Sequence, residues 1–154
     1  MSDLQVIIRL TLSLVLGGLI GLERQFHRRS AGLRTHILVC VGSCLIMLTS
    51  MYIFDIYKRA ANVDPSRIAS GVITGIGFLG AGAIMREREK DAVKGLTTAA
   101  SLWVVAAIGL ATGCGFYVAG LFATVLSLIT LLFLSLFEKN VLSKEMEDKE
   151  GGTP

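Results

Sequence analysis

The residues able to do chemistry in this chain gather at two levels. Glu23 and Arg24 stand side by side, Arg34, Thr35 and His36 follow a short gap later, and Thr97, Thr98 and Ser101 open a later apolar run. Thr97 and Ser101 are one helical turn apart and would share a face. Hydroxyls at a helix N-terminus with arginines nearby can hold an anion, because free first-turn N–H groups and the helix dipole favour negative charge. Glu23 could hold a cation or balance the arginines. These residues form a candidate ligand cluster, set against the plainer reading that charges at helix ends simply reach the interface. Asp64 and Arg67 form the second level. Asp is a favoured N-cap and Pro65 suits the first helical position, so Asp64 reads chiefly as a cap, with Arg67 free to pair with it or with a neighbouring helix.

Other reactive residues carry less. Arg9 lies about two turns inside the first apolar run, where a charge must face protein, water or the interface, and snorkelling outward is its simplest outcome. His36, Cys40, Ser43, Met47 and Ser50 line one face of the second run, with Cys44 beside them. Imidazole, thiolate and thioether suit copper or zinc, but no Cys-x-x-Cys or paired-His pattern accompanies them, and Cys and Met commonly pack between helices. A metal is therefore left open and no cofactor is expected. Cys40 and Cys44 share one helix in a poor geometry for a disulfide, and Cys114 is expected near the outer face. There is no nucleophile elbow, phosphate-binding Gly-Lys-Ser/Thr loop or His-Glu-x-x-His, so no enzyme is expected.

The elements that must position these groups are membrane helices. Of 154 residues, 53% are hydrophobic and only 18% charged, and the mean hydropathy is +0.66. The charges cluster between apolar stretches long enough to cross a bilayer, which takes roughly 20 helical residues. Five spans are predicted, at 4–22, 36–54, 68–85, 96–112 and 116–137. Helix is the form expected, since open sheet edges leave backbone groups unpaired in hydrocarbon. The Gly113-Cys114-Gly115 turn predicts a tight hairpin between the last two spans. The fold class is thus an all-α polytopic membrane bundle, divided into residues 1–138 within the membrane and a charged tail, 139–154, that continues the last helix briefly and then frays. The first span lacks a basic leader and a cleavage site, so it is expected to be retained.

Basic residues set the orientation. Arg24, Arg28, Arg29 and Arg34 follow span one, Arg86, Arg88, Lys90 and Lys94 follow span three, and Lys139, Lys144 and Lys149 lie in the tail. The other side has Lys58, Arg59 and Arg67. Lys and Arg favour the cytoplasm, which predicts the N-terminus outside and the C-terminus cytoplasmic. The net charge of +3 belongs to membrane ends facing anionic headgroups; no soluble segment is long enough to build a nucleic-acid face.

Span three divides into a small side and a bulky one. At about 100° per residue, Ser70, Gly71, Thr74, Gly75, Gly77, Ala81 and Gly82 fall on one broad side, with Phe78 the bulky exception. Small residues let helices approach closely in lipid. This places span three at the bundle centre, touching two neighbours, with Gly17-x-x-x-Gly21 and Gly109-x-x-x-Gly113 as candidate partner faces. So many small faces also leave surface for a homo-oligomer.

Four blocks, GLIGLERQ (18–25), AGLRTHILV (31–39), DPSRIASGVITGIGFLGAGAIM (64–85) and GLTTAASLWVVAAIGLATGCG (95–115), closely resemble the MgtC/SapB family. The resemblance implies a bacterial inner-membrane protein of about five helices, linked to magnesium limitation, acid tolerance and virulence, and acting through contacts with membrane partners such as the proton-driven ATP synthase. It also brings magnesium transport as an alternative. Magnesium is usually held by carboxylates, and Glu23, Asp55 and Asp64 all lie at helix ends rather than inside spans. Two departures stand out: the soluble domain of the name-giving members is not seen here, so this reads as a short form, and the loop 86–94 is more charged than the family's Gly-containing version.

Overall fold

The computed structural model describes residues 1–58, 64–87 and 92–150, with side-chain surroundings described through Phe133. Arg59, Arg88 and Lys90, basic residues on which the predicted orientation partly rests, lie outside the described residues, as do residues 151–154 and the side-chain placement of Lys139, Lys144 and Lys149. Five helices follow one another: α1 (Asp3–Phe26), α2 (Leu33–Tyr57), α3 (Ser66–Ala83), α4 (Leu96–Cys114) and α5 (Tyr117–Glu150). The expected all-α bundle is what forms. Among the described residues, α1, α2 and α4 are long and apolar enough to cross a membrane, while Tyr117–Phe133 of α5 makes a shorter apolar helix. α5 runs on to Glu150 without a break at residue 138.

One element has no counterpart in the predicted spans. Between α3 and α4, β1 (Met85–Glu87) pairs antiparallel with β2 (Ala92–Lys94), setting Arg86 opposite Val93. Strands of three residues carry too few alternations for a period-2 pattern to be recognised.

α1 begins with a reciprocal cap, in which Gln5 N–H donates to the Ser2 hydroxyl while the Gln5 side chain accepts from Ser2 N–H. The tight hairpin predicted after α4 is present. Gly115 takes a left-handed conformation, φ 88°, which glycine adopts without steric cost, and its N–H donates back to the carbonyl of Thr112 at 3.1 Å.

The core is built on backbone approach. Gly17 and Gly21 of α1 both face α2: a Cβ at Gly17 would stand 2.6 Å from Cys40 Cβ, and one at Gly21 2.8 Å from Leu33 Cα. From α4, a Cβ at Gly109 would collide with the Cys40 carbonyl oxygen, and one at Gly113 would stand 2.7 Å from Met47 Cβ. Both Gly-x-x-x-Gly pairs therefore grip α2, and not span three as expected. Around them pack Leu16, Ile20, Cys40, Val105 and Ile108.

The expected central place of span three is corrected as well. α4 is the most enclosed spanning helix, with 56% of its most apolar stretch buried against 33% for α1 and 28% for α2. α3 lies to one side, packing Val72, Ile76 and Gly80 toward Leu102 and Ala106 of α4. Gly71, Gly75, Gly77 and Gly82 have open space where a Cβ would stand. Hydrophobicity cannot choose the buried side of a helix in lipid, because hydrocarbon is as apolar as Leu. Shape decides instead, and here the branched side of α3 fits α4.

Two kinds of glycine thus coexist, and unfolding in mixed micelles separates them. Gly109→Ala and Gly17→Ala should each lose about 1–3 kcal/mol from overpacking. Gly71→Ala and Gly75→Ala should keep stability or raise it by up to about 1 kcal/mol through helix propensity. Equal losses at all four would contradict this packing.

Candidate functional site

The polar cluster divides into a buried and an exposed half. Glu23, Arg24, His36, Thr98 and Ser101 are buried, whereas Arg34, Thr35 and Thr97 are exposed. The buried half lies where the end of α1 and the starts of α2 and α4 converge. α1 reaches this point because Gly17 and Gly21 draw it against α2. The last turn of α1 therefore stays covered, and its charges with it.

Glu23 and Arg24 are sequence neighbours, which on a helix do not normally face one another. Here the guanidinium folds back: Nε meets Glu23 Oε2, and Nη2 donates to Oε1 at 2.8 Å. His27 completes the group, with Nδ1 3.0 Å from Glu23 Oε1 and 2.9 Å from the Glu23 carbonyl. Sequence reasoning left His27 out, although its position one turn after Glu23 was the available signal. Arg24 Nη1 is buried and has no hydrogen-bond partner among the described residues. Glu23 thus balances arginine, the second of the two roles expected of it.

His36 is fully buried and joins α2 to α4. Its Nδ1 donates to the Gly32 carbonyl at 2.8 Å, and its Nε2 lies 3.0 Å from Ser101 Oγ. In a neutral ring the second nitrogen must then accept from the hydroxyl. Ser101 Oγ is also 2.8 Å from the Thr98 carbonyl, so one hydroxyl proton has two acceptors to choose between. His36, Thr98 and Ser101 are brought together as the sequence anticipated; Thr97 does share a face with Ser101, both lining one cavity, but it is exposed where Ser101 is buried. Among the described residues no group of three or more His, Cys, Asp and Glu side chains is arranged to hold a metal.

Asp64 and Arg67 sit at the opposite end of the bundle. Pro65, rather than Asp64, occupies the N-cap position of α3. The Asp64 carboxylate still accepts from Ser66 N–H at 2.8 Å, and the donors of Ser66, with the Arg67 charge behind them, hold its carboxyl below the usual range. Arg67 makes no ion pair with it; its N–H donates to the Asp64 carbonyl at 3.3 Å. The start of α3 is tied to α2 by a hydrogen bond from Ser50 Oγ to the Pro65 carbonyl.

Arg9 does not snorkel outward. It is 9% exposed and turns inward, donating from Nη1 to the Gly113 carbonyl at 2.7 Å and from Nε to Tyr117 Oη at 3.0 Å, with the Tyr117 ring 5.9 Å away. A cation at the negative end of α4 is stabilised by the helix dipole and satisfies a terminal carbonyl.

The Glu23–Arg24 pair gives a direct test. Removing one partner of a buried pair leaves an uncompensated charge, at a cost of about 3–5 kcal/mol. Glu23→Gln should lower stability by that amount, and Glu23→Leu with Arg24→Met should recover most of it, as read by a double-mutant cycle. Additive losses would mean that the two side chains act independently.

Residues 10–140 match the profile of the MgtC family. The chain is 46% identical over 129 residues to YhiD of Escherichia coli (strain K12), covering 82% of this chain and 59% of that protein. It is 35% identical over 151 residues to SapB of Bacillus subtilis (strain 168), covering 96% and 64%. With MgtC of Salmonella typhimurium (strain 14028s) it shares 44% identity over 128 residues, covering 83% and 52%. The chain therefore spans about half to two thirds of the length of these curated relatives. No solved structure matches it. The polar cluster and both Gly-x-x-x-Gly pairs fall within the matched stretch, and the chain belongs to the MgtC family.

Proposed function

We propose that this protein is an inner-membrane regulator that acts through helix–helix contacts, with its own copies and with other membrane proteins, a proton-driven ATP synthase among them. The observation that carries this reading is the uncovered face of α3. Gly71, Gly75 and Gly82 follow one another at intervals of four and seven residues, and nothing lies within 4 Å of where their Cβ atoms would be. Phe78, 84% exposed, stands in the same stripe. Gly77, two residues after Gly75, is turned about 200° round the helix and does not belong to it. Small residues beside a projecting aromatic ring form a surface on which another helix can seat closely, and such packing drives association in lipid. The orientation, N-terminus outside and tail inside, follows the arginine-rich end of the bundle. The family resemblance adds the setting of magnesium limitation, acid tolerance and virulence, and no catalytic or cofactor role is assigned.

Energy transfer between labelled copies in liposomes tests the contact. Gly75→Leu adds bulk into open space, so the fold should survive while association weakens about tenfold or more. Association at the wild-type level would remove α3 as the contact face.

One observation favours a second reading, ion transport: the Escherichia coli relative is named "Putative magnesium transporter YhiD". Against it, Glu23 is committed to Arg24 and His27, whereas magnesium is normally bound through carboxylates and retained waters. In a flux assay with magnesium and protons followed separately, the regulator reading expects no protein-dependent flux where a control transporter works. Magnesium flux that falls in Asp64→Asn, an exposed position whose loss spares the core, would install the transport reading.

A further inference from the structure

Beside the buried cluster, the arginine-rich end holds an open groove of about 940 Å³. It lies outside the α1–α2–α4 grip, where α3 leans against α4, and the loop after α1 and strand β2 form its mouth. Its depth is apolar, lined by Val39, Phe78, Leu79 and Leu102. Phe78 and Leu79 are 84% and 54% exposed, so the groove opens sideways along a membrane helix. Its mouth is cationic, with Arg28, Arg29 and Lys94, and hydroxyls come from Thr35 and Thr97. No carboxylate is among its lining residues within the described part of the chain. Arg28 and Arg29 are exposed and make no ion pair among the described residues. Arg28 also holds a left-handed backbone conformation, φ 50°, which is uncommon for a residue other than glycine and reverses the chain between α1 and α2 at the mouth.

A surface that is basic at the headgroup level and apolar below it complements one class of molecule, an amphiphile with an anionic head. We propose that this groove binds an acidic glycerophospholipid, with the phosphodiester headgroup held by Arg28 and Arg29 and an acyl chain lying against Phe78, Leu79 and Leu102. Arginine suits the head because its planar fork donates two hydrogen bonds to a phosphate. A basic residue near an anionic membrane surface contributes on the order of 1 kcal/mol, so two arginines are enough to select an acidic lipid over a zwitterionic one. The groove shares Phe78 and Gly82 with the association stripe of α3, but its basic mouth lies outside that stripe, so lipid selection is tested at Arg28 and Arg29 and association at Gly75, and the two can fail separately.

The test is native mass spectrometry of the full chain in mild detergent, titrated with phosphatidylglycerol, with phosphatidylethanolamine of the same acyl chains, and with inorganic phosphate. Phosphatidylglycerol should be retained about tenfold more than phosphatidylethanolamine, and Arg28→Gln with Arg29→Gln should remove that preference. Thr35→Trp, at an exposed position, narrows the mouth and should reduce retention of both lipids. Lys58→Gln, which removes a charge at the far end of the bundle, should change neither. Helical content by circular dichroism, equal across the set, separates lost binding from lost fold. Equal retention of the two lipids by the wild type would overturn the proposal, as would undiminished preference in the double arginine variant. Inorganic phosphate displacing the lipid at equal concentration would reduce the site to a free-anion site, and a second copy of the chain displacing the lipid would make the groove a protein contact. Either result overturns the lipid assignment.

Discussion

The structure depends on how closely α2 can be approached from two sides at once. In lipid, helices gain little from removing apolar surface, so contact distance sets the strength of their packing. Gly17 and Gly21 bring α1 onto one side of α2, Gly109 and Gly113 bring α4 onto another, and Cys40 is touched from both. Its burial follows from that position. The three helices so joined fix everything near them. The end of α1 is covered because α1 cannot swing away from α2, and His36 reaches Ser101 because α2 and α4 are in contact one turn below.

The charged groups follow the same logic of local closure. Glu23 neutralises Arg24 and takes in His27, and Arg9 settles on the carbonyl end of α4. Among the described residues Glu23 is the one buried carboxylate, and it is engaged by Arg24 and His27. The features that face outward are of another kind: a small-residue stripe on α3 and a basic-mouthed apolar groove at its end.

Much of the fold was legible in the sequence because hydrocarbon imposes strong rules. Apolar length between charge clusters gave all five helices in order, and Gly113-Cys114-Gly115 gave the hairpin that Gly115 makes. The Gly-x-x-x-Gly pairs were legible as packing faces, but their partner was not, since spacing on one helix does not say which neighbour comes close. The side of α3 that would be buried was illegible for a related reason: periodicity separates small from bulky, and in lipid either can face inward. At the site, His36 and Ser101 could be placed at one membrane level from sequence, whereas Thr97 and Thr98, adjacent and chemically alike, were separated only by the helix rotation that buries one and exposes the other. The inward turn of Arg9 needed the end of α4, a partner the local sequence does not contain.

That last contact bears on how the chain is inserted. The polar partners of Arg9 lie 104 and 108 positions further along the chain. At synthesis rates of about 5–20 residues per second, they emerge on the order of 5–20 s after it. For that interval the guanidinium of α1 can reach only the weak sulfur acceptors of Met1 and Met51, and an arginine about two turns deep can be kept hydrated at the membrane surface. When the turn between α4 and α5 arrives, the side chain exchanges water for the Gly113 carbonyl and the Tyr117 hydroxyl. Closure of the bundle at that end is therefore a late event, set by the order of translation, even though Gly17 and Gly21 can seat α1 on α2 much earlier.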